Sequence, residues 1–187
     1  HMNFAVARPD VVRAINQRWL LKFWKQHLGD HSVPQWQAIE AQRLTAMSAS
    51  MSFLDVIGSG DSVRFQVRFH GTTIAKIWGL TDYRGKYLDE VMSPAHHAES
   101  LPPYRHAVNS GRPVYTIHDV KDRNDRLVHY ERLLLPFAAD GHTVDRILAS
   151  FELVCEDGAF DSHELMKTQN TPPILRLAAT IEPAVVA

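Results

Sequence analysis

The sequence has a single cysteine, no long apolar run and no excess of either charge. Cys155 alone cannot form an intramolecular disulfide or a cysteine-rich zinc site, which indicates a reducing compartment. No stretch reaches the roughly 18 continuous apolar residues of a membrane span, and the N-terminus lacks a signal-peptide pattern. With 20 Lys+Arg against 21 Asp+Glu, the chain has no general attraction for nucleic acid or anionic membranes. These absences predict a cytoplasmic globular protein.

What is present is enough for one domain with an appendage. A chain of 187 residues that is 45% apolar can bury a core without a disulfide or metal. Residues 1–2 are interpreted as an expression scar, so His1 is excluded from any metal site.

Two helices are predicted at the start of the chain, over residues 9–28 and 35–48. In the first, apolar residues recur at helical spacing and form a wide stripe that must be covered; they include Ile15, Trp19, Leu20, Phe23, Trp24 and Leu28. If Ile15, Trp19 and Phe23 pack on a sheet, then Leu20, Trp24 and Leu28 remain for a second subunit. Complete burial within one chain is the alternative.

The rest of the chain predicts an antiparallel α+β sheet. Residues 51–57 and the alternating residues 63–70 form a hairpin, and short helical pieces follow over residues 71–92. A helix over residues 93–110, bent at Pro102-Pro103, leads into three further strands over residues 113–120, 127–137 and 143–155. Residues 157–187 are interpreted as a C-terminal extension or flexible tail.

Several segments carry a family resemblance when they are taken in order. They are residues 68–79 (RFHGTTIAKIWG), 83–90 (YRGKYLDE), 110–115 (SGRPVY), 131–136 (ERLLLP) and 143–148 (TVDRIL). This series resembles a PAS domain, and in particular the single-domain PAS family common in alphaproteobacteria. The resemblance implies a five-stranded antiparallel sheet in the order 2-1-5-4-3, with helices on one face that enclose a pocket. It places a PAS core at residues 50–156, preceded by N-terminal helices over residues 3–49 that cap or dimerise the core.

The resemblance also implies which residues wall the pocket. They are Trp78, Tyr83, Tyr104, Tyr115 and Arg132. A mostly apolar cavity with a few polar groups suits a small ligand, and the fork of Arg132 would pair with an anionic group of that ligand. Alternatively, the aromatic residues only fill the core and Arg132 points into water. No cofactor is firmly implied.

The histidines suggest two further sites. His96, His97 and His106 are candidates for the axial ligand of a haem, with solvent-facing or capping roles as the alternative. On the hairpin formed by residues 113–137, a turn centred between Arg123 and Asn124 would place His118 across from His129, with Glu131 on the same face. Such a set can hold a divalent metal; cross-strand polar pairing is the alternative, because a one-residue slip would separate the residues.

The sequence contains no catalytic constellation, so we expect a protein that is not an enzyme. We expect a freestanding bacterial PAS module that acts in signal transduction through protein–protein interaction and homodimerisation. The alternative is a sensor of a small molecule or cofactor, haem included, that uses the PAS cavity.

Overall fold

The computed structural model of the chain describes residues 2–37, 39, 45–79, 82–167 and 173–182. Residues 38 and 40–44 of the second predicted helix, which was expected over residues 35–48, lie outside the described residues. The segment Thr45–Ser50 is a 3₁₀ helix. No helix among the described residues is long and apolar enough to cross a membrane.

Seven strands and five α-helices make up the described fold. The strands are Ala5–Ala7 (β1), Met51–Ile57 (β2), Arg64–His70 (β3), Val114–Lys121 (β4), Leu127–Phe137 (β5), Arg146–Cys155 (β6) and Ile174–Ile181 (β7). The helices are Ile15–Gln26 (α1), Thr72–Trp78 (α2), Leu88–Val91 (α3), Pro94–Ser100 (α4) and Pro102–Ser110 (α5). The Pro102-Pro103 pair separates α4 from α5 where a single bent helix was predicted, because proline suits the first turn of a new helix.

The prediction of a five-stranded, purely antiparallel sheet is wrong in the number and direction of strands. The observed order is β1-β7-β4-β5-β6-β2-β3. The five predicted strands lie in the predicted order within it, and β7 and β1 extend the sheet beyond β4. Because β1 pairs with β7 in parallel, the sheet is mixed. β7 lies within residues 157–187, which were interpreted as an extension or flexible tail. It was not predicted, because a strand that pairs with β4 about 60 residues earlier leaves no local hairpin signal.

Helices cover both faces of this sheet. The helices α2 to α5 pack on one face, which we call the cavity face, and the core there includes Leu54, Val67, Tyr130 and Ile147. Helix α1 packs on the opposite face, which we call the α1 face. Successive residues of a strand point to opposite faces, so the central strand β5, buried on both sides, contributes alternately to the two cores.

The orientation of α1 is the reverse of one predicted arrangement. Leu20 and Trp24, which were assigned to a second subunit, are buried against the sheet, together with Phe23. Ile15 and Trp19, which were expected to pack on the sheet, are 83% and 47% exposed. The apolar stripe is wider than one contact needs, so the helical spacing of its residues did not determine which of them face the sheet.

Burial of β7 leads to the first prediction. Ile181 is fully buried on the α1 face, so Ile181→Ala should lower the free energy of unfolding by roughly 2–5 kcal/mol, measured by urea denaturation. The matched control Ile174→Ala, at a position that is 57% exposed, should change it by about 0.5 kcal/mol or less. Equal, small effects of the two substitutions would mean that β7 contributes nothing to the core.

Candidate functional site

The five residues predicted to wall a pocket do not all lie on one face of the sheet. Trp78 in α2, Tyr83 after it and Tyr104 in α5 line a small internal cavity on the cavity face. The guanidinium carbon of Arg132 lies 4.9 Å from the centre of the Tyr104 ring, on the same face. Tyr115 does not belong to this group, because its side chain packs on the α1 face.

Aromatic side chains nearly fill the internal cavity. The rings of Tyr130 and Phe151 stack with their centroids 5.4 Å apart, and those of Phe65 and Tyr104 are also 5.4 Å apart. About 10 Å³ remains, roughly the space of one water molecule. A haem or a flavin does not fit such a volume. Burial raises the pKa of both tyrosines, which keeps their hydroxyl groups neutral.

The three histidines considered for haem are dispersed. His96 is buried, with its ring edge-on to that of Trp78 at 6.3 Å, and burial lowers its pKa. His97 Nε2 lies 3.0 Å from the carbonyl oxygen of Asp89, so this nitrogen donates to the backbone. His106 Nε2 is 2.7 Å from the hydroxyl of Thr180 on β7. Two of the three rings are therefore engaged in structural hydrogen bonds.

Beside the aromatic cavity lies a fully buried arginine. Arg132, on β5, is 1% exposed. Its Nε is 3.3 Å from the hydroxyl of Thr116, and its Nη1 donates to the carbonyl oxygen of Ser100 at 3.0 Å. Its Nη2 is buried and has no hydrogen-bond partner among the residues that the structure describes. A charged donor in this position is expensive to leave unsatisfied.

A second buried polar side chain lies on the same face. His118, on β4, is 2% exposed, and neither of its ring nitrogens has a hydrogen-bond partner in the part of the chain that the structure describes. Burial, followed by the charge of Arg132, lowers the pKa of His118 to about 3. The Oε2 of Glu99, from α4, is 3.8 Å from His118 Nε2 and is itself buried and unpartnered. The imidazole is therefore neutral at pH 7.

The predicted metal set does not come together. In the observed register Asp119 pairs with His129, and His118 pairs with Tyr130. His118 therefore faces the helices α4 and α5, whereas His129 and Glu131 face the opposite side. Among the described residues, no group of three or more His, Cys, Asp or Glu side chains could hold a metal ion.

The reason for this error is the turn between β4 and β5. Its centre is Asn124, half a residue beyond the predicted centre. Asp122 accepts hydrogen bonds from the backbone N–H groups of Asn124 and Arg126 through its side chain, and Asp125 adopts a positive φ of 62°. These bonds close a five-residue loop, Asp122–Arg126. Because the centre of the loop differs from the predicted one by half a residue, each residue of β4 pairs with the β5 residue one position further along than predicted.

On the α1 face, Glu131 and Tyr115 belong to a polar network that holds α1. The carboxylate Oε1 of Glu131 accepts hydrogen bonds from Arg13 Nε and from the Tyr115 hydroxyl, both at 2.8 Å. The amide of Gln17, in α1, donates to the backbone carbonyls of Glu131 and Ser150 at 3.1 Å. The indole of Trp24 donates to the carbonyl of Pro136. These bonds fix the orientation of α1 on the sheet.

The sequence did not lead to the placement of His118 and Arg132 on one face of the sheet, nor to the approach of Glu99 to His118. Thr116 and His118 alternate with apolar residues along β4, and this alternation was the available signal. A turn centred at Asn124 would have placed Arg132 opposite Thr116 and diagonal to His118.

A scan against models of protein families matches residues 12–152 to the model described as a PAS domain. The match covers more than half of the chain and runs from the segment before α1 into β6. It leaves β1 and β7 outside. No curated protein matches the chain.

The low pKa of His118 leads to the second prediction. His118 resists protonation in the folded state, whereas in the unfolded chain it takes up a proton near its ordinary pKa of 6.5. Stability should therefore fall as the pH drops from about 6.5 towards 3, by up to about 1.4 kcal/mol per pH unit. His118→Phe should remove this part of the slope, measured by urea denaturation at successive pH values.

The matched control for that measurement is His163→Phe, since the His163 side chain is 52% exposed. Its pH profile should follow that of the unsubstituted chain. Other buried histidines contribute equally to the pH dependence of stability in all three proteins, so their contributions cancel in the comparison. If His118→Phe and the unsubstituted chain keep the same slope, His118 does not titrate as its burial requires.

Proposed function

This chain belongs to the PAS-domain family, and from that premise we propose that it is a regulatory module that binds a partner protein through the exposed face of α1. A PAS domain is a sensory or regulatory module. We also propose that it is not an enzyme. The observation that carries the proposal is the exposure of two large apolar side chains on a helix whose other face is already packed.

Ile15 and Trp19 lie one turn apart on the outer face of α1, so their side chains are neighbours. They are 83% and 47% exposed. The ring of Trp19 stacks on that of Phe23, with centroids 5.5 Å apart, and Phe23 is anchored in the core. Trp19 is therefore held in place on the surface, and large aromatic side chains are enriched in protein interfaces. We call this surface the Trp19 face.

The charges beside the Trp19 face favour a particular kind of partner. Helix α1 carries Arg18, Lys22 and Lys25 and has no acidic residue. Two copies of α1 in contact would bring like charges together, which is unfavourable. The occupant that we propose is therefore a different protein, one that presents carboxylates around an apolar patch. The homodimer expected from the family resemblance becomes an outcome of the test.

A small-molecule sensor is the second candidate function. The aromatic cavity is too small for a large cofactor, so this candidate depends on the buried polar atoms of Arg132 and His118.

The third prediction tests the Trp19 face in three steps. A photo-crosslinking residue in place of the exposed Gln26, one turn beyond Lys22, should couple the chain to a partner in its native cells. That partner, once identified and purified, should bind the unsubstituted chain, and Trp19→Ser or Lys22→Glu should weaken binding at least tenfold, measured by calorimetry. Because the contact is partly electrostatic, affinity should fall as salt rises.

Two controls match these substitutions. Ile174→Ser removes an apolar side chain that is 57% exposed on β7, and Lys86→Glu reverses an exposed charge away from α1; both should leave the affinity unchanged. Sedimentation that shows a dimer dissociated by Trp19→Ser would overturn the proposal in favour of a second copy. Binding to anionic lipid vesicles that Trp19→Ser abolishes would overturn it in favour of a membrane surface.

A further inference from the structure

A cleft of about 390 Å³ lies beyond the end of the sheet at which β4 begins and β5 ends. Three parts of the chain wall it: α1 with the segment that follows it, the C-terminal end of α5 with the turn into β4, and the turn between β5 and β6. Every residue that lines this cleft belongs to a helix or a loop, and none of them lines the aromatic cavity. We call it the end cleft. Its volume is within the range of sites that bind small molecules.

The floor of the end cleft is apolar and joins the two cores of the protein. Trp24 and Leu28 belong to the core of the α1 face, whereas Val33, Val108 and Val144 belong to the core of the cavity face. Trp24 and Val33 are only 3% and 2% exposed, so well-packed side chains form this floor. An apolar group placed on it would be removed from water, which is favourable.

Backbone hydrogen bonds hold the walls of the end cleft in place. The N–H of Val33 and the hydroxyl of Ser32 both donate to the carbonyl oxygen of Gly141, at 3.2 and 3.3 Å. On the opposite wall, α5 ends at Gly111, which has a φ of 63° and donates its N–H to the carbonyl of Ala107. Because these walls are already ordered, a ligand would lose little affinity to the ordering of the protein.

The rim of the end cleft carries positive charge. Arg112 is exposed, and its guanidinium has no ion-pair or hydrogen-bond partner among the residues that the structure describes. The described residues that line the cleft include no Asp or Glu. The C-terminal end of α5 is equivalent to roughly half a negative charge, which is less than the full charge of Arg112. The rim therefore favours an anionic group.

From this combination we propose that the end cleft binds an organic acid with an apolar body. The carboxylate pairs with Arg112, whose planar guanidinium matches two carboxylate oxygens. The apolar body lies on Trp24 and Leu28. A small polar anion would leave this floor uncovered, and a neutral apolar molecule would leave Arg112 without a partner, so both should bind more weakly.

The end cleft is separate from the Trp19 face. Helix α1 contributes the inward side chain of Trp24 to the cleft, whereas Trp19 lies on its outer side. The inference therefore does not rest on the partner-binding role proposed above.

The fourth prediction tests the end cleft on the full chain with sodium phenylacetate as the probe. Phenylacetate should raise the melting temperature and shift the NMR signals of the Trp24 indole N–H and the Gly111 amide in a saturable manner. At constant ionic strength, phenylacetamide, which lacks the charge, should bind about fivefold more weakly. Acetate, which lacks the ring, should bind more than about tenfold more weakly.

Two substitutions show which residues hold the probe. Arg112→Gln should weaken phenylacetate binding about fivefold, and its control Arg105→Gln changes an exposed arginine of α5 outside the cleft. Leu28→Ala should also weaken binding about fivefold. Its control Leu127→Ala removes a side chain that is 41% exposed on β5. Both controls should keep the affinity of the unsubstituted chain.

Several results would overturn the proposal. They are the absence of a saturable shift, equal affinity for phenylacetamide or acetate, full phenylacetate binding by Arg112→Gln or Leu28→Ala, and shifts at Trp78 and Tyr104 in place of Trp24 and Gly111. Trp19→Ser should leave phenylacetate binding unchanged, so failure of the end cleft is distinguishable from failure of the Trp19 face.

Discussion

Two oppositely charged side chains, Glu131 and Arg132, occupy adjacent positions on the central strand β5, and both are almost completely buried. Because neighbouring strand residues point to opposite faces, the carboxylate faces α1 and the guanidinium faces α4 and α5. They cannot neutralise each other. Each must find partners in the layer that covers it, so the two helical layers depend on the placement of this one strand.

The two sides meet that requirement differently. Glu131 has a charged partner in Arg13 and a second donor in Tyr115, and this network fixes how α1 crosses the sheet. Among the described residues Arg132 has only neutral partners, and its Nη2 has none. The buried carboxylate on the α1 face is thus paired with a cation, and α1 displays Trp19 on its outer side. The cavity face holds a buried guanidinium whose Nη2 has no hydrogen-bond partner among the described residues.

The strands beyond the family match have a structural role. β7 pairs with β4 along almost its whole length, and β1 then pairs with β7. Without β7, β4 would be an edge strand, and edge strands expose unpaired backbone groups. With it, the residues of β4 from Val114 to Val120 are buried, and His118 lies in an interior where its imidazole stays neutral.

Much of this architecture could be predicted from the sequence. Local periodicity gave the bounds of β2 and β5, and the order of the five central strands followed from the PAS resemblance. The register between β4 and β5 was harder to predict. The turn at Asp122–Arg126 is set by side-chain capping and by the positive φ of Asp125, and a half-residue error in its centre was enough to group His118 with His129 on one face.

The sequence by itself determined the class of fold, the positions of most strands and the amphipathic character of α1, because these depend on spacing along the chain. The tertiary structure alone decided which side of α1 faces the sheet, that β7 and β1 complete it, and that Arg132 and His118 share a buried face. Those outcomes depend on pairs of residues far apart in the sequence, whose contact is set by packing and backbone hydrogen bonding rather than by local pattern.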